Sequence, residues 1–143
     1  METIKRSSLI AYSAEKMYQL IDDIEKYPEF VPYCKGAEII SREDNSVTAT
    51  LQVSKSGLAK SFTTKNTLTP FTQIQMQLVN GPFKYLSGGW HFQALSDEAC
   101  KVELELEYEF SNKLASMAFA KIFNQLVQSM MTAFTERAKA VYG

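Results

Sequence analysis

Histidine occurs once in this chain, at His91, and cysteine twice, at Cys34 and Cys100. Two cysteines are too few for a disulfide framework and suit a reducing compartment. With a single histidine there is no Cys/His spacing of the kind that holds zinc, and no metal is expected. Four prolines, six glycines and a charged fraction of 22% rule out a collagen-like or disordered chain. No apolar run approaches the length needed to span a bilayer, and the start Met-Glu-Thr-Ile-Lys-Arg lacks an apolar signal core, so a cytoplasmic location is expected. The net charge of −1 supplies no global pull toward nucleic acid or anionic lipid. DNA is not an expected partner, and membrane contact is at most peripheral. One domain over 1–143 is the simplest organisation, large enough to bury about 70% of its unfolded surface.

What the chain does have is one long helix. Residues 112–142 contain no Gly or Pro and are dominated by Ala, Leu, Met, Lys and Gln. At 100° per residue Phe119, Phe123, Leu126, Met130, Phe134 and Val141 form a stripe flanked by Ile122 and Val127, and Arg137 shares its angle. Ser111 or Asn112 is expected to cap its start, and Gly143 to end it. About 45 Å of apolar stripe needs a curved partner.

The remainder supplies strands. Residues 2–10 read as a strand, and Ser13 as the cap of a first helix that runs to about Lys26, before Pro28. From Gly36 to Phe110 the period is two. Val47, Ala49, Leu51 and Val53 alternate with polar residues, Phe62, Thr64, Asn66 and Leu68 share one parity, and Ile74, Met76 and Leu78 alternate with glutamines. Turn signals at Asp44-Asn45, Ser56-Gly57, Thr69-Pro70, Asn80-Gly81-Pro82 and Asp97-Glu98 divide the strands. Gly88-Gly89, inside the strand of Leu86, Trp90 and Phe92, implies a bulge or a close approach by another group. The last strand sets Cys100, Val102, Leu104, Leu106, Tyr108 and Phe110 against Glu103, Glu105, Glu107 and Glu109. Those glutamates are spread along one face instead of converging, which marks a solvated sheet surface in preference to a cation site. The fold class is α+β: a curved antiparallel sheet of about seven strands wrapped around a long C-terminal helix, the helix-grip arrangement.

Three blocks carry a resemblance over nearly the whole chain: Tyr27-Pro28-x-Phe30-x-Pro32-x-Cys34, Phe62-Thr63-Thr64-Lys65-Asn66, and Gly81-Pro82-Phe83-Lys84-x-Leu86-x-Gly88-Gly89-Trp90. They resemble the START-like family of polyketide cyclases and coenzyme Q-binding proteins. The ending Phe134-Thr135-x-Arg137-Ala138-Lys139-x-Val141-Tyr142 is similar to its bacterial ribosome-association-toxin branch. The resemblance implies two activities: binding a polyprenyl quinone or similar lipid in support of respiration, and binding the large ribosomal subunit so as to block subunit joining. The family also contains cyclases.

Residue by residue, a ligand cavity has the most support. Phe62, Met76, Trp90, Phe92, Tyr108, Phe123, Met130 and Phe134 have inward positions that serve either as plain core or as cavity wall. Thr64 and Asn66 share the inner parity, so either protein groups satisfy them or they face a cavity holding water or a ligand head group. Arg137 either snorkels at the helix end or stands at the cavity mouth. Ubiquinone, with two carbonyl acceptors and an apolar tail, suits such a lining, as do other isoprenoids; no other cofactor is implied. For the ribosome, Lys55, Lys60 and Lys65 are the candidate phosphate contacts, grouped at one sheet edge, or else solubilising lysines. Catalysis has little behind it. A Cys34–His91 dyad would lack a third orienting group, and His91 is expected to point away from the side that Trp90 faces.

Overall fold

A computed structural model describes residues 2–111 and 113–143. Strand β1 (Glu2–Ile10) leads into helix α1 (Ala14–Asp22) and a 3-10 segment (Ile24–Glu29). Six strands follow: β2 (Cys34–Glu43), β3 (Ser46–Lys55), β4 (Leu58–Thr69), β5 (Gln73–Asn80), β6 (Phe83–Ser96) and β7 (Ala99–Phe110). Helix α2 (Lys113–Tyr142) ends the chain. The strands form one antiparallel sheet in the order β1-β7-β6-β5-β4-β3-β2, so β2 to β7 are a run of hairpins and β1 closes onto the last of them. No helix among the described residues is long and apolar enough to cross a membrane.

The period-two pattern becomes burial directly. Cys100, Val102, Leu104, Leu106 and Tyr108 of β7 are buried, while Glu105 and Glu107 between them are exposed. Lys5 on β1 stands 4.0 Å from Glu105, and Lys101 lies 3.2 Å from Glu103. These are wet surface pairs worth little to stability. The tight turn at Ser56-Gly57 takes positive φ at both residues (52° and 84°), matching the twist of the β3–β4 strands it joins.

Two expectations are corrected. The first helix stops at Asp22 instead of about Lys26, and the chain continues as a 3-10 segment with Pro28 inside it. Proline disfavours helical geometry at Tyr27, and the Tyr27 hydroxyl donates to the carbonyl of Ile21, which the broken helix leaves open. Ser13 does cap α1, its hydroxyl accepting from the Lys16 amide at 3.1 Å. The α2 stripe is also shorter: Phe119, Ile122, Phe123, Leu126, Val127, Met130, Phe134 and Ala138 are buried, but Val141 is exposed. There Tyr142 takes over, its hydroxyl donating to Lys16 O at 3.0 Å and its ring 5.7 Å from Tyr12. Gly143 ends the helix with φ 84°, its backbone N–H donating a hydrogen bond to Lys139 O, as expected. Capping by Asn112 lies outside the described residues.

The two glycines of β6 resolve in favour of close approach. The register on β6 slips at Lys84 and Leu95, not at Gly88-Gly89. A Cβ on Gly88 would fall 2.0 Å from the Glu105 carbonyl, and one on Gly89 2.1 Å from that of Ile74. Backbone from both neighbouring strands occupies the space of a side chain. Gly88 also holds φ 144°, open to few other residues.

Two predictions follow from this packing. Gly88→Ala, which adds backbone strain to overlap, should lose about 2–4 kcal/mol in urea unfolding, whereas Gly57→Ala, with open space around it, should lose about 1 kcal/mol from its positive φ alone. Equal losses would show that conformation, not crowding, selects glycine in β6. The second concerns alkali. Burial raises the phenols of both Tyr27 and Tyr108, the latter from 10.0 to about 12. The unfolded chain releases these protons first, so their stabilising effect is complete below pH 10 and is lost as pH climbs toward 12. Thermal midpoints should fall through that window while part of the tyrosine absorbance change is delayed; a single tyrosine step near 10 with an unchanged midpoint contradicts it.

Candidate ligand cavity

The concave side of the sheet and the buried stripe of α2 do not meet everywhere. Between them lies a cavity of about 60 Å³. Ala49 and Leu51 of β3, Phe62, Thr64 and Asn66 of β4, Met76 of β5, Leu86 and Trp90 of β6, and Leu104 and Leu106 of β7 form the sheet side. Phe123, Leu126, Val127 and Met130 of α2 form the helix side, and Ile24 and Tyr27 close one end. Such a space accepts a few water-sized groups, well under the roughly 300–1,000 Å³ of sites that enclose whole small molecules.

Its walls are apolar except at one place. Thr64 and Asn66 are 8% and 6% exposed, the only polar residues buried among the described ones. The Thr64 hydroxyl donates to the Asn66 side-chain oxygen at 2.9 Å. This satisfies one atom of each. No further hydrogen bond of the Asn66 side chain is formed among the described residues, and its amide nitrogen, which is not one of the fully enclosed unpaired atoms (Asp22 Oδ1 and Arg137 Nε), opens onto the cavity space. Turning the amide over changes which atom meets Thr64 but leaves the other unpaired. A buried amide in that condition costs about 1–3 kcal/mol unless something in the cavity answers it. The Tyr27 hydroxyl, at the end of the cavity, donates its proton to Ile21 O.

Of the eleven residues expected around a ligand, seven line this space: Phe62, Thr64, Asn66, Met76, Trp90, Phe123 and Met130. Four do not. Phe92 packs edge-on against Tyr18 at 5.7 Å, and Tyr108 bonds Asn124 of α2 through its hydroxyl. Phe134 fills the junction of Tyr27, Phe30 and Trp90, with ring centres 5.3–5.4 Å away. Arg137 neither snorkels freely nor reaches the cavity. Its guanidinium donates to Glu29 at 2.9 Å and covers the Phe30 ring at 4.8 Å, and this hydrogen bond, with Lys26 nearby, draws the Glu29 carboxyl below its usual range. The aliphatic wall, Leu51, Leu104, Leu106 and Val127 among it, carries no sequence signal that separates it from ordinary core of the same pattern.

The lysines do not converge. Lys55 donates to Gln125 of α2 at 3.1 Å and lies 5.1 Å over Tyr33. Lys60 shares the inward parity of Phe62 but is exposed beyond the end of the cavity, and Lys65 points to the convex side. Strands β3 and β4 are interior to the sheet, whose edges are β1 and β2, so the expected edge patch is absent. Cys34 is buried, its thiol raised by that burial, while His91 is exposed on the convex face opposite Glu103. The sheet separates them. Among the described residues no three His, Cys, Asp or Glu side chains are grouped to hold a metal.

The comparisons with known proteins meet this geometry from outside. The chain is 51% identical over 143 residues to the ribosome association toxin RatA of Vibrio cholerae, covering 100% of this chain and 99% of that one. It is 26% identical over 141 residues to the mitochondrial coenzyme Q-binding protein homolog B of Xenopus laevis, covering 96% of this chain and 58% of the relative. In fold it superposes on the Zhui aromatase/cyclase of a Streptomyces species with a TM-score of 0.84 at 16% identity, covering 96% and 93% of the two chains. That likeness concerns architecture alone. The family profile described as polyketide cyclase / dehydrase and lipid transport matches residues 10–135, and the chain belongs to that START-like family.

Proposed function

We propose that this chain is a non-catalytic binding protein, of the RatA type, that takes the head group of a quinone or similar isoprenoid lipid into the cavity beneath α2. The observation that carries the reading is Asn66: a 6% exposed amide with an unpaired nitrogen, set in an otherwise apolar wall. A quinone carbonyl accepts from such a donor, and the lining of Leu, Met and aromatic side chains suits a ring and the first part of its tail. The name of the coenzyme Q-binding relative points the same way. At about 60 Å³ the cavity must enlarge to load a ring. Met76 and Met130 are its most adaptable walls, since unbranched thioether chains change rotamer at low cost. No reactive constellation accompanies the site, which favours binding over the cyclase chemistry of some structural neighbours. The bacterial relatives support a cytoplasmic residence.

A second reading has its own support. A protein named as a ribosome association toxin shares 51% of its residues with the whole length of this chain. On that reading the protein binds the large ribosomal subunit and blocks its joining, with a surface still to be mapped.

Gently purified protein should release a quinone or isoprenoid on solvent extraction, detected by mass spectrometry. Asn66→Leu, which keeps volume and removes the donor, should weaken binding of added quinone about tenfold, the effect of one buried hydrogen bond. No extracted lipid together with no binding of added quinone would falsify the ligand reading. For the second, added protein should deplete joined ribosomes in a sucrose gradient and travel with the large subunit. Unchanged gradients at a molar excess of protein dispose of it, and an unaffected Lys55/Lys60/Lys65 triple alanine variant removes those lysines from its surface.

A further inference from the structure

A sheet that does not close has two edges, and this protein treats its β2 and β1 edges differently. An open edge offers its outward N–H and C=O groups to any strand that can reach them. On β2 that offer is withdrawn. Its pairing with β3 slips twice, between Cys34 and Gly36 and between Ile39 and Ser41, and such bulges twist an edge away from a flat partner. Arg42, near the end of β2, is also tied to Asp22 of α1 at 3.0 Å. Strand β1 has none of this protection. It pairs with β7 through consecutive residues from Glu2 to Ile10, with no slip and no proline.

The exposed residues of β1 are also arranged to suit a copy of themselves. Glu2, Ile4 and Arg6 lie opposite Tyr108, Leu106 and Leu104 and share the concave side. Thr3, Lys5 and Ser7 lie opposite glutamates on the convex side. Ile4 is buried, whereas Glu2, Thr3, Lys5 and Arg6 are exposed. Neither Glu2 nor Arg6 forms an ion pair among the described residues, and the Arg6 guanidinium turns back to donate to the Lys5 carbonyl at 3.1 Å. Beside them an open groove runs between β1 and Asn124 and Gln128 of α2.

Symmetry narrows the registers. Two β1 strands paired antiparallel about a two-fold axis must set one residue against its own copy. An offset by one would make symmetry-related pairs of different hydrogen-bonding kinds. Centring on Lys5 or Arg6 sets like cations face to face, and centring on Thr3, Ser7 or Ser8 brings no opposite charges together. Centring on Ile4 sets Glu2 against Arg6 twice.

We infer that β1 is the docking edge for a second copy of this chain, joined antiparallel about Ile4 into one continuous sheet. This stands apart from the ligand reading, since neither the cavity nor Asn66 enters it. Both Glu2–Arg6 pairs fall on the concave side, where the groove beside Asn124 and Gln128 leaves room for the partner's arginine. A short ladder is a smaller interface than a permanent dimer needs, so the association is weak and depends on concentration.

Sedimentation velocity of the full chain, in about 50 mM salt and from about 5 to 500 µM protein, should show a monomer passing to a dimer. Glu2→Lys and Arg6→Glu, each creating two like-charged pairs at exposed positions, should each weaken association about tenfold. The combined Glu2→Lys/Arg6→Glu variant should recover it, and an equimolar mixture of the two single variants should form a mixed dimer. Circular dichroism checks that each variant folds. In amide hydrogen exchange, alternate N–H groups between Thr3 and Arg6 should slow at the higher concentration, with those of β2 unchanged. A monomer at every concentration overturns the inference, as does a dimer indifferent to both single variants or not restored by the combined one. Slowing on β2 in place of β1 overturns it too. So do β1 amides protected only by added ribosomal subunits, which would assign the edge to a different partner.

Discussion

A thirty-residue helix with one apolar stripe must be enclosed on that side, and a sheet encloses a helix only by bending. In this protein the bend depends on how closely β5, β6 and β7 approach at Gly88 and Gly89, where neighbouring carbonyls lie about 2 Å from where a Cβ would be. The same strands carry Trp90, Leu104 and Leu106, so the glycines that permit the curvature sit beside the residues that use it. Strand β1 then pairs with β7 and completes one side, leaving β1 and β2 as the edges. The remaining elements serve the ends of the groove: α1 and the 3-10 segment cover one, and the rings of Phe62, Phe83, Phe119 and Phe123 fill the other.

That enclosure leaves an internal contradiction between packing and polarity. Core positions on β4 alternate Phe62, Thr64, Asn66 and Leu68, and the middle two are polar. Each could have been apolar without disturbing the strand, since β-branched and aliphatic residues suit such positions better. Thr64 and Asn66 offset part of their desolvation by bonding one another, but one amide atom stays unanswered. A fold that needed only stability would not keep it. On the ligand reading, the asparagine is the point at which the fold gives up packing for recognition, and it stands among Met76, Met130 and aromatic rings.

Much of this was legible beforehand because strands report their orientation through parity alone. Glu105 and Glu107 outward, Val102 and Leu104 inward, His91 away from the core, and Asn66 toward it all follow from a period of two. The turns at Ser56-Gly57 and Asp97-Glu98 were legible for the same local reason. What could not be read was tertiary. Arg137 lies at a stripe angle, yet its partner Glu29 is 108 residues away in sequence, and no helical periodicity encodes that pair. Phe134 and Phe92 have core parity like Phe123, but whether a core residue touches a void depends on where the sheet and helix diverge. The early end of α1 turned on the Tyr27 hydroxyl finding Ile21 O, a contact that propensity cannot supply.

The asymmetry of α2 ties these threads together. Its last turns are anchored by directional bonds that fix distance and angle: Arg137 to Glu29 and Tyr142 to Lys16. Its earlier turns are held by ring packing around Phe119 and Phe123, which tolerates sliding and rotation, with directional bonds only from Asn124 to Tyr108 and from Gln125 to Lys55 among the described residues. On the ligand reading, opening costs less among these rings than at the ion-paired end, because edge-to-face contacts re-form after a rotation. On that reading the cavity of about 60 Å³ would widen from the rings of Phe62, Phe83, Phe119 and Phe123 inward. The polar pair on β4 lies behind those rings, so a ligand arriving by that route would pass the rings first and meet Asn66 afterwards.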